Sequence, residues 1–67
     1  MEEIRDYRGK LVCMANGQTG VIERLTSKDR SYIYLPVGGK FSFETKETYT
    51  IIERVSDELF YVNSYPN

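Results

Sequence analysis

The feature that most constrains the fold is a series of short apolar runs, each about five to eight residues long, separated by turn-forming residues. The runs are rich in Val, Ile, Tyr and Phe, and the separators are Gly, Asn, Asp and Ser. Such runs are typical of β-strands, because β-branched and aromatic side chains fit a pleated, half-buried surface. The pattern predicts an all-β protein with five or six antiparallel strands in a meander.

The strongest local signal is a hairpin between "GKLVCMA" and "GVIERL", which are joined through "NGQT". The Asn-Gly pair at 16–17 favours a two-residue type I′ turn, because that turn needs two positions that tolerate positive φ. In this register Leu11 faces Ile22 and Val12 faces Val21. A shift of two residues would leave the same side chains on each face, so the faces are better defined than the pairing.

The rest of the chain continues this pattern. The segments "SYIYLP" and "FSFET" are predicted to be the third and fourth strands, joined by "VGGK", and "YTIIERV" with "ELFYVNS" is predicted to be a last hairpin. A single helical turn around "EEIRDYRG", ended by Gly9, is the one helix candidate. The tail "YPN" is expected to be loose.

Length and composition predict one globular domain over residues 1–67, with the strands at about 9–64 and flexible ends. A single cysteine, Cys13, cannot form an internal disulfide and fits a reducing cytoplasm. No stretch approaches the roughly 18 apolar residues of a membrane span, so a cytoplasmic, soluble protein with no membrane partner is expected. The net charge of -1 disfavours nucleic-acid binding by general attraction to phosphates.

The segment "NGQTGVIERL", within a chain of short strands, resembles the hairpin of KOW-type modules, in which a glycine precedes a hydrophobic pair. The architecture over residues 9–64 resembles small Src-homology-3-like barrels. This resemblance implies that the meander closes into a barrel that binds proteins or nucleic acids and is not an enzyme. The chain lacks the basic surround of KOW modules. It also resembles small bacteriophage accessory proteins, which implies a modulator or inhibitor of a host protein.

The residues needed for common enzyme sites are missing from the sequence. There is no histidine, and a single cysteine cannot build a thiolate zinc site. No phosphate-binding glycine motif is present. The carboxylates are interpreted as solvated charges, because none lies in an apolar run that would raise its pKa. Cys13 is interpreted as a small buried hydrophobe. We therefore predict no catalytic residue, no metal site and no cofactor.

Tyrosine is in excess, with six in 67 residues. On the third strand the period of two places Ile33 and Leu35 on one side and Tyr32 and Tyr34 on the other. Ile and Leu are the natural core pair. Tyr32 and Tyr34 are therefore candidates for a binding surface, since tyrosine is enriched at interfaces.

Two arrangements of the next strand are open. A tight two-residue turn at Gly38-Gly39 would place Phe41 and Phe43 beside the two tyrosines and leave Glu44 in the core. A turn shifted by one residue, or a bulge, would place both phenylalanines in the core and leave the tyrosines outside. We favour the second arrangement, because it avoids burying an unpaired carboxylate.

The candidate binding residues are those two tyrosines with nearby cations: Tyr32, Tyr34, Arg24, Lys28 and Arg30. The leading hypothesis is a module that binds a protein partner through them. Single-stranded nucleic-acid binding through the same rings and cations is an alternative. A third is capture of a small ligand between copies of the chain, because so small a barrel has little internal room. A homo-oligomer is also open, since exposed edge strands invite pairing.

Overall fold

The computed structural model describes the backbone of residues 1–67 and every side chain except that of Leu25. The described chain forms seven antiparallel strands in two sheets and no helix. The first sheet has the order β1-β2-β3-β4, and the second has the order β5-β6-β7. The strands of the first sheet are β1 (Glu2–Arg5), β2 (Leu11–Ala15), β3 (Val21–Leu25) and β4 (Arg30–Tyr34). Those of the second are β5 (Lys40–Glu44), β6 (Thr48–Arg54) and β7 (Phe60–Pro66).

The all-β prediction is confirmed, but the expected strand count and the closed barrel are not found. In the described chain β4 pairs with β3 alone and β5 pairs with β6 alone, so the sheet does not continue from β4 to β5. The cause is the segment after β4, where the Gly39 N–H donates to the Pro36 carbonyl and Gly38 adopts φ of +88°. The Gly38 N–H then donates to the Arg54 carbonyl. This turn sends the chain into the second sheet.

The first hairpin has a longer loop than the sequence predicts. The Asn16 side chain accepts the N–H groups of Gln18 and Thr19, and the positive φ, 78°, falls on Gly20. Ala15 therefore pairs with Ile22, whereas the predicted register pairs Leu11 with Ile22. The register differs by an even number of residues, so the residues predicted to share a face do share it.

Both ends of the chain are held in sheets. Instead of a helical turn, the N-terminal segment forms β1, in which Ile4 pairs with Cys13 and is almost fully buried. The expected loose tail belongs to β7 as far as Pro66. The Asn67 side chain then donates to the Thr45 carbonyl at 2.7 Å.

The core lies between the two sheets and holds eight buried apolar side chains: Ile4, Cys13, Ala15, Ile22, Leu35, Phe43, Ile52 and Phe60. Phe41 packs against it, with its ring centroid 4.9 Å from that of Phe43. Both phenylalanines therefore lie on the core side, as the second arrangement predicted. Burying each large apolar side chain contributes about 1.5–3 kcal/mol.

One buried cation joins the two sheets. Arg54, at the end of β6, is 5% exposed and donates from Nη1 to the Leu35 carbonyl at 3.1 Å. Its Nη2 donates to the Gly17 carbonyl at 2.9 Å. Among the described side chains no carboxylate pairs with it, and its Nε is buried without a hydrogen-bond partner. Backbone carbonyls therefore compensate for only part of the loss of hydration.

Candidate functional site

The candidate site is the free edge of β4. Ile33 pairs with Ile22 on the core side of the first sheet, while Tyr32 and Tyr34 lie on the outer face and are 60% and 64% exposed. The alternation of the strand produces this division, because successive side chains point to opposite faces. Two large rings are thus held next to each other on a rigid strand.

The backbone N–H and C=O groups of these tyrosines also point away from the sheet. The Leu35 N–H donates to the Gly20 carbonyl at 2.8 Å, which places Leu35 in a hydrogen-bonded pair with β3. Hydrogen-bonded and non-hydrogen-bonded pairs alternate along an antiparallel ladder. Ile33 is therefore bonded to β3, whereas the N–H and C=O groups of Tyr32 and Tyr34 face outward. Among the described residues they have no hydrogen-bond partner.

The surroundings of the rings are mixed in charge. Tyr32 lies opposite Glu23 on β3, and the Arg30 Nε is 3.9 Å from a Glu23 carboxylate oxygen. The neighbouring Tyr32 hydroxyl, followed by the Glu23 carboxylate, raises the pKa of Arg30 above its ordinary value. Like every arginine, Arg30 is cationic at neutral pH, and the Glu23 carboxylate partly balances its charge. Val21, opposite Tyr34, adds apolar surface to the same face.

The structure brings together three of the five candidate residues: Tyr32, Tyr34 and Arg30. Lys28 lies in the exposed turn that leads into β4, where its N–H donates to the Thr26 hydroxyl. Arg24 lies on the opposite face of β3, and its guanidinium is 4.8 Å from the centroid of the Phe43 ring. It does not flank the tyrosines, because residues 23 and 24 alternate across the sheet and Glu23 is the one beside Tyr32.

Of the other free edges, β1 and β5 carry more charged residues than β4, whereas β7 has none and is blunted only by a proline at its end. Natural sheets blunt their edges with charged side chains and proline. The edge strand β1 holds Glu2, Glu3 and Arg5, β5 begins with Lys40 and ends with Glu44, and β7 ends at Pro66. In β4 the single charged residue is Arg30. Sequence reasoning missed this edge, because it paired "SYIYLP" with "FSFET".

The described side chains contain no group of three or more His, Cys, Asp or Glu residues arranged to hold a metal ion. No helix of the described chain is long and apolar enough to cross a membrane. Comparisons with protein-family models, with curated proteins and with solved structures give no match to this chain. The site is therefore interpreted from its own geometry.

Proposed function

We propose that this chain is a non-enzymatic interaction module that binds an extended segment of a partner protein along the edge of β4. The observation that carries the proposal is that Tyr32 and Tyr34 present both their rings and their unpaired backbone groups at one edge. A partner strand would pair with those N–H and C=O groups. The rings would cover its side chains, since tyrosine gains much buried area at little entropic cost.

Charge also favours a protein over a nucleic acid as the partner. The chain is close to neutral, and the nearest cation to the rings, Arg30, already has a carboxylate neighbour. A mixed, balanced rim around exposed aromatic side chains is typical of protein interfaces. More specifically, we propose that the chain is a phage-type, Src-homology-3-like module and that its partner is a host protein whose activity it modulates.

The first test separates the rings from the rest of the surface. Affinity purification from the native host would identify the partner, and isothermal titration would then compare the wild type with a Tyr32→Ala/Tyr34→Ala double variant. The matched control is Tyr61→Ala/Tyr65→Ala, which removes two similarly exposed rings from the second sheet. We expect the β4 variant to lose at least tenfold in affinity and the control to bind like the wild type. Equal affinity of all three proteins would rule out this surface.

The second test addresses the backbone. A Tyr32→Pro change removes an N–H that faces outward, which an edge strand tolerates, because the ladder to β3 does not use that group. We expect Tyr32→Pro to bind more weakly than Tyr32→Ala with its circular dichroism spectrum preserved. If the two variants bind equally well, the partner does not add a strand at this edge.

Single-stranded nucleic acid is the second candidate, because Tyr32 and Tyr34 lie at one edge with the cation Arg30, and Lys28 lies in the turn that leads into the same strand. Aromatic rings with adjacent cations can stack unpaired bases. This function predicts binding of a labelled oligonucleotide at low salt that weakens steeply as salt is added. No detectable binding at low salt would exclude it.

A further inference from the structure

A cavity of about 200 Å³ opens between the two sheets at the end opposite Arg54. The turns 6–10, 26–29 and 45–48 lie at this end, and none of the candidate tyrosines lines the cavity. Its lining combines apolar side chains with hydrogen-bond donors from both halves of the chain. It is smaller than the pockets that hold drug-sized ligands, which are roughly 300–1,000 Å³. Its volume therefore suits a small ligand or one group of a larger one.

The central donor is Arg24. Its guanidinium lies over the Phe43 ring at 4.8 Å, is half-buried and lines the cavity. It forms no ion pair and no hydrogen bond with any described residue, whereas Arg8 bonds to carboxylates and Arg54 bonds to backbone carbonyls. A guanidinium attracted to the face of a ring keeps its N–H groups available for other acceptors. A cation held in this way is prepared to bind an anion.

The second donor is the hydroxyl of Thr48, which is 2% exposed. The Thr45 hydroxyl oxygen accepts the N–H groups of Glu47 and Thr48, which occupies both of its lone pairs. With both lone pairs occupied, the Thr45 hydroxyl donates, and the oxygens in its reach are the Thr48 hydroxyl at 2.9 Å and the Thr48 carbonyl at 3.5 Å. The hydrogen of the Thr48 hydroxyl is left without an acceptor among the described residues, and Thr48 lines the cavity.

The single carboxylate in the lining does not compete with these donors. One Asp6 carboxylate oxygen accepts the backbone N–H groups of Arg8 and Lys10, and the other accepts the Arg8 guanidinium. Arg8 also pairs with Glu47, so it holds two carboxylates. The Lys10 ammonium is exposed at the cavity and forms no ion pair with a described side chain. The free groups of the cavity are thus Arg24, Lys10 and Thr48, all of them donors.

We propose that this cavity binds a tetrahedral oxyanion of the phosphate class. A guanidinium fork, an ammonium group and a hydroxyl come from three different strands or turns, so they approach a ligand from separate directions. A phosphate offers three or more acceptor oxygens to such a set, whereas a carboxylate offers two. The site is separate from the β4 edge and does not depend on the function proposed for it.

The test is a titration of the isotope-labelled chain with inorganic phosphate, followed in ¹H–¹⁵N NMR spectra, with sodium chloride at matched ionic strength as the reference. We expect saturable shifts at the amides of Arg24 and Thr48. Arg24→Gln should weaken binding about tenfold, because it removes a charge-assisted hydrogen bond. Lys10→Gln, a change at an exposed position that leaves the fold intact, should weaken it about threefold. The matched control, Lys40→Gln, removes an exposed cation outside the cavity and should bind as the wild type does.

Two further ligands define the chemistry. Acetate should bind at least tenfold more weakly than phosphate, and equal binding of the two would overturn the tetrahedral assignment. Glycerol 3-phosphate binding more tightly than inorganic phosphate would identify an organic phosphate as the ligand, and weaker binding would identify the free ion. The absence of saturable shifts in the wild type, or unchanged phosphate affinity in both Arg24→Gln and Lys10→Gln, would overturn the proposal.

Discussion

Gly20 occupies the tightest position in the fold, and its replacement by alanine tests how the two sheets are joined. Its φ is +78°, a conformation that residues with a Cβ rarely adopt. A Cβ at this position would lie 2.2 Å from the Arg54 Nη1 and 2.7 Å from the Leu35 carbonyl oxygen. The methyl group would therefore occupy the space of the guanidinium that links β6 to the first sheet.

The expected loss of stability has two parts. Holding alanine at positive φ costs about 1–2 kcal/mol. Displacing Arg54 from the Leu35 carbonyl costs about 1.5–3 kcal/mol more, because the lost hydrogen bond involves a charged donor in a buried position. Gly20→Ala should thus lower the free energy of unfolding by roughly 2.5–5 kcal/mol. A domain of this length has roughly 3–10 kcal/mol in total, so a large part of its stability depends on this contact.

Urea denaturation followed by far-UV circular dichroism measures the effect, since the chain has no tryptophan to report on unfolding. The matched controls are Gly9→Ala and Gly38→Ala. Both glycines have positive φ, at 85° and 88°, and a Cβ at either meets nothing within 4 Å. Each control should show the backbone cost alone, about 1–2 kcal/mol. The difference between Gly20→Ala and these variants isolates the contact with Arg54.

A double variant separates the arginine from the backbone. Arg54→Met removes the guanidinium and keeps an unbranched side chain, so Gly20→Ala should cost less in that background than in the wild type. Such a coupling between the two changes is expected only of residues in contact. If Gly20→Ala costs no more than Gly9→Ala, or if its cost is the same with and without Arg54, then Arg54 does not join the sheets as described.

Two further predictions follow from titratable groups near the core. Burial is the largest influence on the Cys13 thiol and raises its pKa to about 11, although the charge of Arg24 acts to lower it. A maleimide reagent at pH 8 should therefore label the native chain far more slowly than the urea-unfolded chain. For Asp6, burial acts to raise the pKa, but hydrogen bonds from the Arg8 side chain and from the N–H groups of Lys10 and Arg8 lower it below the ordinary 3.8. A carboxylate with a depressed pKa stabilises the fold above its unfolded pKa, and this contribution is lost as the pH falls below about 4. Asp6→Asn should therefore be less stable than wild type at pH 7, and the difference should shrink toward pH 2; a constant difference would contradict the ion pair.

The faces of the strands could be predicted from the sequence, because side-chain alternation is a local property. Ile22 is buried and Ile33 packs against the core, while Tyr32 and Tyr34 lie outside, as the period of two indicates. The predicted register of the hairpin between β2 and β3 was wrong. The prediction of which residues share a face is nevertheless confirmed, because the observed pairing differs from the predicted one by an even number of residues. Local patterns thus determine what each strand buries before its partners are known.

The contacts between distant segments could not be predicted in the same way. Arg54 follows "TIIE" in the sequence and resembles the end of an ordinary exposed strand. Its burial depends on three carbonyls, of Leu35, Gly17 and Asp57, that only the folded chain brings together. No local signal marks such a position. Thr48 was missed for the same reason, because its free hydroxyl hydrogen follows from its contact with Thr45 and from the packing of two sheets.

The turn at residues 36–39 links the error in the predicted topology to the candidate site. Had "VGGK" formed a tight hairpin, β5 would pair with β4, and the backbone groups of Tyr32 and Tyr34 would be satisfied within the sheet. Instead Gly38 bonds to Arg54, and a Cβ on Gly39 would lie 3.0 Å from the Pro36 carbonyl oxygen, so the turn is closely packed and its direction is well defined. The chain therefore leaves the first sheet after Leu35, and β4 remains an edge. The same two glycines that permit this departure are what make strand addition by a partner possible at Tyr32 and Tyr34.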